Sequence, residues 1–255
     1  MNLFDKLDYS MDLNNVSLYG MTDDFFCLYI SNLSKVNNRN IVIITSTLFE
    51  ANKLVNSINN YDNNALLFPM DDFLASASIA TSPELKTTRL ETLNELMKDK
   101  RHIIITHLNS YLRYLPSKKS YSNHIINLKT GDSIDRDELI SKLLNIGYIR
   151  ETTVTRTGDM GIRGFVIDIF PLGLPNAVRL EFFGDEIESI PIFDTTTQKS
   201  IETINEVTIY PNSEIFDEEN EFKKRFNIVD NPENILDYIK DPIVIVKDYS
   251  QLKIS

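Results

Sequence analysis

The stretch that decides the fold is residues 158–200, with the sequence GDMGIRGFVIDIFPLGLPNAVRLEFFGDEIESIPIFDTTTQKS. Its first part is an apolar run that stops at Pro171, and two later runs, separated by Gly184, alternate apolar with charged or polar residues. Alternation with a period of two is typical of half-buried strands, while glycine and proline mark the turns between them. The stretch therefore predicts an antiparallel meander with one apolar face, and it contains no recognisable catalytic group.

The part of the chain before residue 116 alternates strand and helix patterns. The β-branched run at residues 41–45 is typical of a strand buried on both faces of a parallel sheet. Further strands are predicted at residues 16–19, 65–68, 102–106 and 242–246. Helices are predicted at residues 25–33, 47–58, from Pro83 onward and 108–115. This alternation predicts βαβ units with right-handed crossovers.

Two helices carry more detailed predictions. We expect Thr22 or Asp23 to cap the first helix, because short polar side chains accept hydrogen bonds from the free backbone N–H groups there. The amphipathic pattern of the second helix predicts that four apolar side chains face the core: Phe49, Leu54, Val55 and Ile58.

After Pro116 the pattern changes to α+β. A polar linker is predicted at residues 118–123, followed by a strand at 125–128, a helix at 134–146 that ends at Gly147, and the meander. Shorter helices are predicted at residues 216–226 and 235–239. Since the last strand resembles the buried strands at the start, we expect it to join the first sheet. This predicts a discontinuous α/β domain, residues 1–120 and 209–255, with an inserted α+β domain at residues 121–208.

Composition restricts the classes of function. The 255-residue chain has a formal net charge of -11, which opposes binding to the phosphate backbone of a nucleic acid. One cysteine, Cys27, permits no internal disulfide and favours a reducing compartment. No apolar run approaches the ~20 residues that cross a bilayer. We therefore expect a cytoplasmic protein with no membrane partner, and since its three histidines lack metal-ligand spacing, no metal or cofactor.

The segment that starts at Gly20 lies where an α/β protein keeps a phosphate-binding loop, between a predicted strand and a helix. The motif ends in glycine, lysine and a hydroxyl residue, but this chain has Phe25, Phe26 and Cys27 there. Two carboxylates would also repel a phosphate. The segment therefore predicts a degenerate, inactive phosphate loop, marked by Gly20, Asp23, Asp24, Phe26 and Cys27.

Arginines lie close to the meander in a chain that is short of positive charge. If the strands around them are antiparallel with a turn near Gly158, Arg150 and Arg163 share one sheet face. Because arginine is enriched at interface hot spots, the pair predicts a protein-binding patch, with scattered surface arginines as the alternative. The acidic run at residues 185–188 is better explained by a solvated hairpin than by a metal site, since no second carboxylate cluster accompanies it.

Several motifs together carry a resemblance to a known family: GYIR at residues 147–150, IRG at 162–164, IDIFP at 167–171, RLEFFGDEIES at 179–189, TQKS at 197–200 and YPNSEI at 210–215. They closely resemble the domain shared by the excinuclease protein UvrB and the bacterial transcription-repair coupling factor (Mfd), and the resemblance extends from about residue 18 to 246. The degenerate phosphate loop favours the coupling factor. So does the segment 71–83, whose single aromatic residue, Phe73, offers no stacking platform for bases.

The resemblance implies a RecA-like fold for the α/β domain and a non-catalytic role for the region. In this family the inserted domain binds the excinuclease protein UvrA, and the matching positions here are Arg150, Arg163 and, more weakly, Phe165. Gly161 stands where UvrB often has another arginine. An ATP-dependent DNA translocase motor and the contacts with RNA polymerase and DNA would lie beyond residue 255, in a longer parent protein.

We therefore expect a module that recruits UvrA to stalled RNA polymerase without chemistry or cofactor of its own. The alternative from the enzyme class is an ATP-dependent DNA-binding protein like UvrB. A third interpretation is an autoinhibitory element, whose docking face other domains of the parent protein would mask.

Overall fold

The structure is a computed structural model that describes residues 16–70, 82–214, 216 and 232–249. The chain divides into two compact units. Unit 1 comprises Met1–Leu115 and Glu233–Ser255, and unit 2 is Pro116–Pro232.

The helices of the described residues are α1 (Asp23–Asn37), α2 (Leu48–Asn59), α3 (Pro83–Leu96), α4 (Leu108–Tyr111), α5 (Lys118–Asn123), α6 (Arg136–Asn145) and a 3₁₀ helix (Ile235–Tyr238). The strands are β1 (Ile41–Thr45), β2 (Ala65–Phe68), β3 (Ile103–His107), β4 (Ile126–Lys129), β5 (Ile149–Arg150), β6 (Asp159–Arg163), β7 (Val166–Ile169), β8 (Ala177–Phe183), β9 (Glu186–Phe193), β10 (Ser200–Ile204), β11 (Glu206–Ile209) and β12 (Ile243–Val246).

Unit 1 contains a parallel sheet in the order β12-β1-β3-β2. Strands β1 and β3 are buried at every position, as their continuous β-branched sequences predict. The last strand, β12, pairs with β1 from Ile41↔Ile243 onward, so both segments of the chain build this sheet. An antiparallel bridge between Leu115 and Glu233, with N–H···O distances of 2.8 and 2.9 Å, joins the two segments again.

Most elements of unit 1 follow the sequence patterns, although the helix predicted at residues 108–115 is only the short α4, Leu108–Tyr111. The Thr22 hydroxyl caps α1, accepting a hydrogen bond from the Phe25 amide at 3.3 Å. Phe49, predicted to face the core from α2, is 78% exposed. The buried positions of α2 are Ala51, Leu54 and Ile58, and at 100° per residue Phe49 points away from that stripe. The strand predicted at residues 16–19 is also wrong, since these residues form no strand.

Unit 2 is built on a six-stranded sheet in the order β10-β9-β8-β7-β6-β5, and β11 and β4 form a second, two-stranded sheet. All neighbours in the large sheet are antiparallel except β5 and β6. One face packs on α6 through a core that includes Leu139, Leu143, Met160, Ile167 and Leu180. The meander predicted from residues 158–200 is therefore present, with its apolar face buried.

The edges of unit 2 differ from the predicted residues 121 and 208. The predicted polar linker is helix α5, whose first turn is capped by the Ser117 hydroxyl at 3.1 Å from the Ser120 amide and whose Tyr121 is buried. After β11, the Asn212 amide donates to the Ile146 carbonyl at 2.8 Å. Residues beyond 208 thus pack on the end of α6. The helix predicted at 216–226 and the segment 71–83 fall almost wholly outside the described residues.

Candidate functional site

The candidate site is the outer face of the six-stranded sheet, which we define as the face opposite α6. Across β6, β7 and β8 the register aligns Gly161 with Asp168 and Asp168 with Arg179. The next outward row aligns Arg163 with Val166. Because side chains alternate along a strand, these residues lie opposite the core positions, and the centre of the outer face holds one carboxylate between two arginines.

The carboxylate of Asp168 is the centre of this cluster, and the Asp168 side chain is only 3% exposed. Arg179 binds it through two groups, Nε to Oδ1 at 2.7 Å and Nη2 to Oδ2 at 3.1 Å. Arg163 donates a further hydrogen bond from Nη2 to Oδ2. The bond to Asp168 raises the pKa of Arg179 above its ordinary value. A buried carboxylate needs such partners, since removing it from water unpaired is costly.

The two arginines differ in what they present to solvent. The Arg179 side chain is 18% exposed, and its guanidinium lies 4.6 Å from the centroid of the Phe193 ring. The Arg163 side chain is 55% exposed. A guanidinium has five N–H donors, and Arg163 uses one of them within the described residues. Arg163 can therefore bind an external acceptor while it remains attached to Asp168.

Arg150 does not join this cluster, which corrects the prediction that it shares a face with Arg163. Strand β5 runs parallel to β6, and Arg150 pairs with Met160, a residue of the α6-facing core. The predicted antiparallel turn is absent: β5 and β6 run parallel, and the segment between them buries Val154 against Ala177 and Phe193. Arg150 is exposed at the sheet edge, in register with the inner face.

Val154 also limits which side chains could replace the hydrogen of Gly161. A Cβ built on Gly161 would lie 3.3 Å from Val154 Cγ2, 3.6 Å from the Glu151 carbonyl oxygen and 3.9 Å from Asp168 Cβ. Val154 thus occupies the space above Gly161. A side chain as long as arginine at this position would require Val154 to move.

Phe165 lies in the turn between β6 and β7 and is 62% exposed. Its carbonyl accepts a hydrogen bond from the Phe182 amide at 2.9 Å. Arg136 holds the turn: its guanidinium donates to the Gly164 carbonyl and lies 5.3 Å from the centroid of the Phe165 ring and 5.9 Å from that of Phe182. The exposed ring of Phe165 is therefore fixed in position by its contact with Arg136, the first residue of α6.

Sequence reasoning missed Arg136 and a second exposed aromatic residue, Phe183, which is 79% exposed. The alternation of apolar and charged residues in β8 could have identified Phe183 as an outward-facing residue. Phe183 occupies the outward position that Arg179 and Glu181 occupy earlier in the strand. The outer face thus has an apolar corner next to its charged centre.

The degenerate phosphate loop lies in unit 1, at the start of α1. Gly20 has a φ of +77°. The Asp23 carboxylate accepts a hydrogen bond from Lys53 Nζ at 2.7 Å and lies 3.5 Å from Lys247 Nζ. The hydrogen bond from Lys53 lowers the pKa of Asp23. At this helix terminus two lysines therefore neutralise a carboxylate of the protein itself.

The other members of this loop have different environments. Asp24 is exposed, and Phe26 packs against the core of unit 1. Cys27 is fully buried, and that burial raises the pKa of its thiol. The hydroxyl that a phosphate loop needs at its end is thus replaced by a side chain that belongs to the core.

Neither a metal site nor a membrane-spanning helix occurs in the described ranges. Residues 16–70, 82–214, 216 and 232–249 contain no group of three or more His, Cys, Asp or Glu side chains placed to hold a metal ion. Within the same ranges no helix combines the length and the apolar character needed to cross a membrane.

Comparison with protein families assigns the class of unit 2. Residues 126–215 match the family described as the UvrB interaction domain. The match includes the whole six-stranded sheet, and with it Arg150, Arg163 and Phe165. Residues 126–215 of unit 2 are therefore similar to the UvrB interaction domain.

Curated relatives extend the similarity into unit 1. A transcription-repair-coupling factor of Staphylococcus epidermidis is 32% identical over 235 residues, which are 88% of this chain and 20% of that protein. The Bacillus subtilis protein of the same name is 32% identical over 200 residues, 78% of this chain and 17% of its own length. A Staphylococcus aureus relative is 33% identical over 210 residues, with shares of 82% and 18%.

The chain thus spans about a fifth of the length of the curated relatives it matches. We conclude that the chain is a homologue of the transcription-repair-coupling factors that carries a UvrB interaction domain.

Proposed function

We propose that unit 2 docks the excinuclease protein UvrA, and that the chain serves as a non-catalytic recruitment module in transcription-coupled nucleotide excision repair. The observation that carries this proposal is Arg163. Within the matched domain it is an exposed arginine with free donors, held in place by a buried carboxylate. Arginine is one of the residue types enriched at interface hot spots.

The outer face favours directed hydrogen bonds over attraction by a broad positive field. Its centre carries two arginines and two carboxylates, namely Arg163, Arg179, Asp168 and Glu181, so its formal charges cancel. A guanidinium can still bind a partner carboxylate in a bidentate manner, which is stronger and more specific than a neutral hydrogen bond. We propose that the acceptor is an acidic side chain of UvrA.

Binding of UvrA to the full chain tests this proposal. We expect Arg163→Glu combined with Arg150→Glu to weaken binding by ~2 kcal/mol or more, about thirtyfold, if these residues are buried in the interface. Because they lie in register with opposite faces, the single substitutions will show which face contacts UvrA. Lys199→Glu, at an exposed lysine of the same unit, is the matched control. Unchanged affinity in the folded double variant would contradict the proposal.

For unit 1 we propose a RecA-like domain that does not bind nucleotide. The parallel sheet with α1 beside it supports the fold, and the Asp23 carboxylate with its two lysines supports the loss of the phosphate site. Contacts with RNA polymerase and DNA would belong to other parts of a longer protein. The chain is expected to act in the cytoplasm.

One structural observation favours the alternative, an ATP-dependent DNA-binding protein. Lys53 and Lys247 lie near the start of α1, where they could meet a phosphate if Asp23 moved aside. Titration of the chain with ATP and magnesium distinguishes the two. We expect no saturable binding, and saturable binding would favour the enzyme.

A further inference from the structure

We propose that Asp168 and Arg179 are positioning residues of the docking site: they hold the Arg163 guanidinium in the orientation that binds a carboxylate of the partner. This inference rests on the proposed function and extends it to residues that would not themselves touch the partner. It follows from three observations: the contacts that connect the cluster, the free hydrogen-bond donors of Arg163, and the flexibility that an unattached arginine would have.

The cluster forms a continuous chain of contacts across four neighbouring strands. The Phe193 ring on β9 lies under the guanidinium of Arg179 on β8, at 4.6 Å. Arg179 binds both oxygens of Asp168 on β7, and Asp168 Oδ2 accepts from Arg163 on β6. Phe193 and Asp168 are buried and Arg179 is mostly buried, whereas the Arg163 side chain is 55% exposed. The outermost member is therefore attached to the core through partners that are themselves fixed.

The hydrogen-bond donors of the cluster indicate what it can bind. Asp168 and Glu181 balance the charges of Arg163 and Arg179, so recognition depends on the free N–H donors of Arg163. These donors form a planar fork that matches the two oxygens of a carboxylate. A neutral amide or hydroxyl accepts through a single oxygen and forms a weaker bond with the same donors. The arrangement therefore favours an aspartate or glutamate side chain on the partner.

Holding Arg163 in advance lowers the cost of binding. An arginine free in solution loses much of its rotamer entropy when it is fixed at an interface. Immobilising one such side chain costs about two- to tenfold in affinity. In this protein the bond to Asp168 restricts the side chain before the partner arrives. Without Asp168 the same arginine would remain on the surface but would sample many orientations.

A double-mutant cycle on the full chain tests the inference, with UvrA affinity and thermal unfolding measured for each variant. We expect Asp168→Asn to weaken UvrA binding about fivefold when Arg163 is present, since the held orientation is lost. In the Arg163→Ala background it should change affinity less than about twofold, because the residue it positions is gone. The loss of thermal stability should remain in both backgrounds, since the ion pair with Arg179 is lost either way.

The outcomes separate the inference from the proposed function. If the wild-type chain does not bind UvrA, the proposed function fails and the inference fails with it. If the wild type binds but Asp168→Asn has the same effect with and without Arg163, only the inference is wrong. Should Asp168→Asn not fold, Arg179→Gln provides a second cycle. It removes the two-point contact that fixes Asp168 but leaves one amide donor for the buried carboxylate. An affinity loss independent of Arg163 would overturn the inference there too.

Discussion

Replacement of Gly147 by alanine tests how far unit 2 extends beyond residue 208. Gly147 follows α6 and has a φ of +94°. A Cβ there would lie 2.7 Å from Ser213 Cβ and 3.0 Å from the carbonyl carbon and oxygen of Asn212. These neighbours belong to the segment after β11, and two of the three atoms are backbone atoms. Moving them would therefore cost free energy, because the backbone of the whole segment would have to shift. The effect of the substitution therefore depends on the packing of that segment.

Two terms contribute to the expected loss of stability. The left-handed backbone costs about 1–2 kcal/mol for a residue with a Cβ. Insertion of a methyl group into a packed contact adds about 1–3 kcal/mol. Gly173→Ala is the matched control, since Gly173 has a φ of +82° but nothing within 4 Å of its Cβ position. We expect Gly147→Ala to be less stable than Gly173→Ala by at least about 1 kcal/mol.

Amide hydrogen exchange is the suitable assay, because it reports the opening of this segment at single residues, whereas thermal unfolding reports on a whole unit. The informative group is the backbone N–H of Asn212, which donates to the Ile146 carbonyl at 2.8 Å. Its exchange should accelerate at least about fivefold more in Gly147→Ala than in Gly173→Ala. Equal effects of the two substitutions would refute the packing described for residues 210–214 and would favour an edge of unit 2 near residue 208.

Three further predictions concern single side chains. Burial lowers the pKa of His102 from its ordinary 6.5, so the unfolded chain binds the proton more tightly than the folded one. His102 therefore contributes stability to unit 1 that is fully present above pH 6.5 and is lost as the pH falls below it. His102→Gln should remove part of that pH dependence in thermal unfolding, and an unchanged profile would contradict this. Phe165→Ser should change stability by less than ~0.5 kcal/mol but weaken UvrA binding by about 1 kcal/mol, whereas unchanged binding would exclude Phe165 from the interface. Arg163→Lys should bind UvrA almost as weakly as Arg163→Ala, because an ammonium group cannot provide the planar fork; near wild-type affinity would indicate that charge alone matters.

Local sequence patterns were sufficient for much of the fold. The continuous apolar sequences of β1 and β3 predicted buried parallel strands, and the alternation in β8 and β9 predicted the meander. The patterns failed where packing between distant residues decides the structure. Helix α5 looks like a polar linker because only Tyr121 anchors it in the core. Strand β5 pairs in parallel with β6, and the segment that connects them buries Val154 against Ala177 and Phe193, which are distant in sequence.

The candidate site shows the same limit. Arg163 and Phe165 could be selected from the sequence by residue type and resemblance, and the structure places both at the surface of unit 2. The role of Asp168 could not be predicted from the sequence, because an aspartate in the run VIDI indicates only that its side chain points away from the core. Its partner Arg179 is eleven residues away in sequence, and only the register of β7 against β8 brings the two together.

The pairing of β12 with β1 has a consequence for synthesis on the ribosome. All of unit 2 is translated before Ile243 emerges, whereas the β1 edge that pairs with it has been available since the start of the chain. Domains generally fold as they leave the ribosome, so the later-encoded unit 2 is expected to finish folding first. Until then the backbone of β1 at Ile41–Ile44 has no partner on that side. A nascent chain paused within unit 2 would expose this strand edge, and exposed edges of this kind are sites of aggregation.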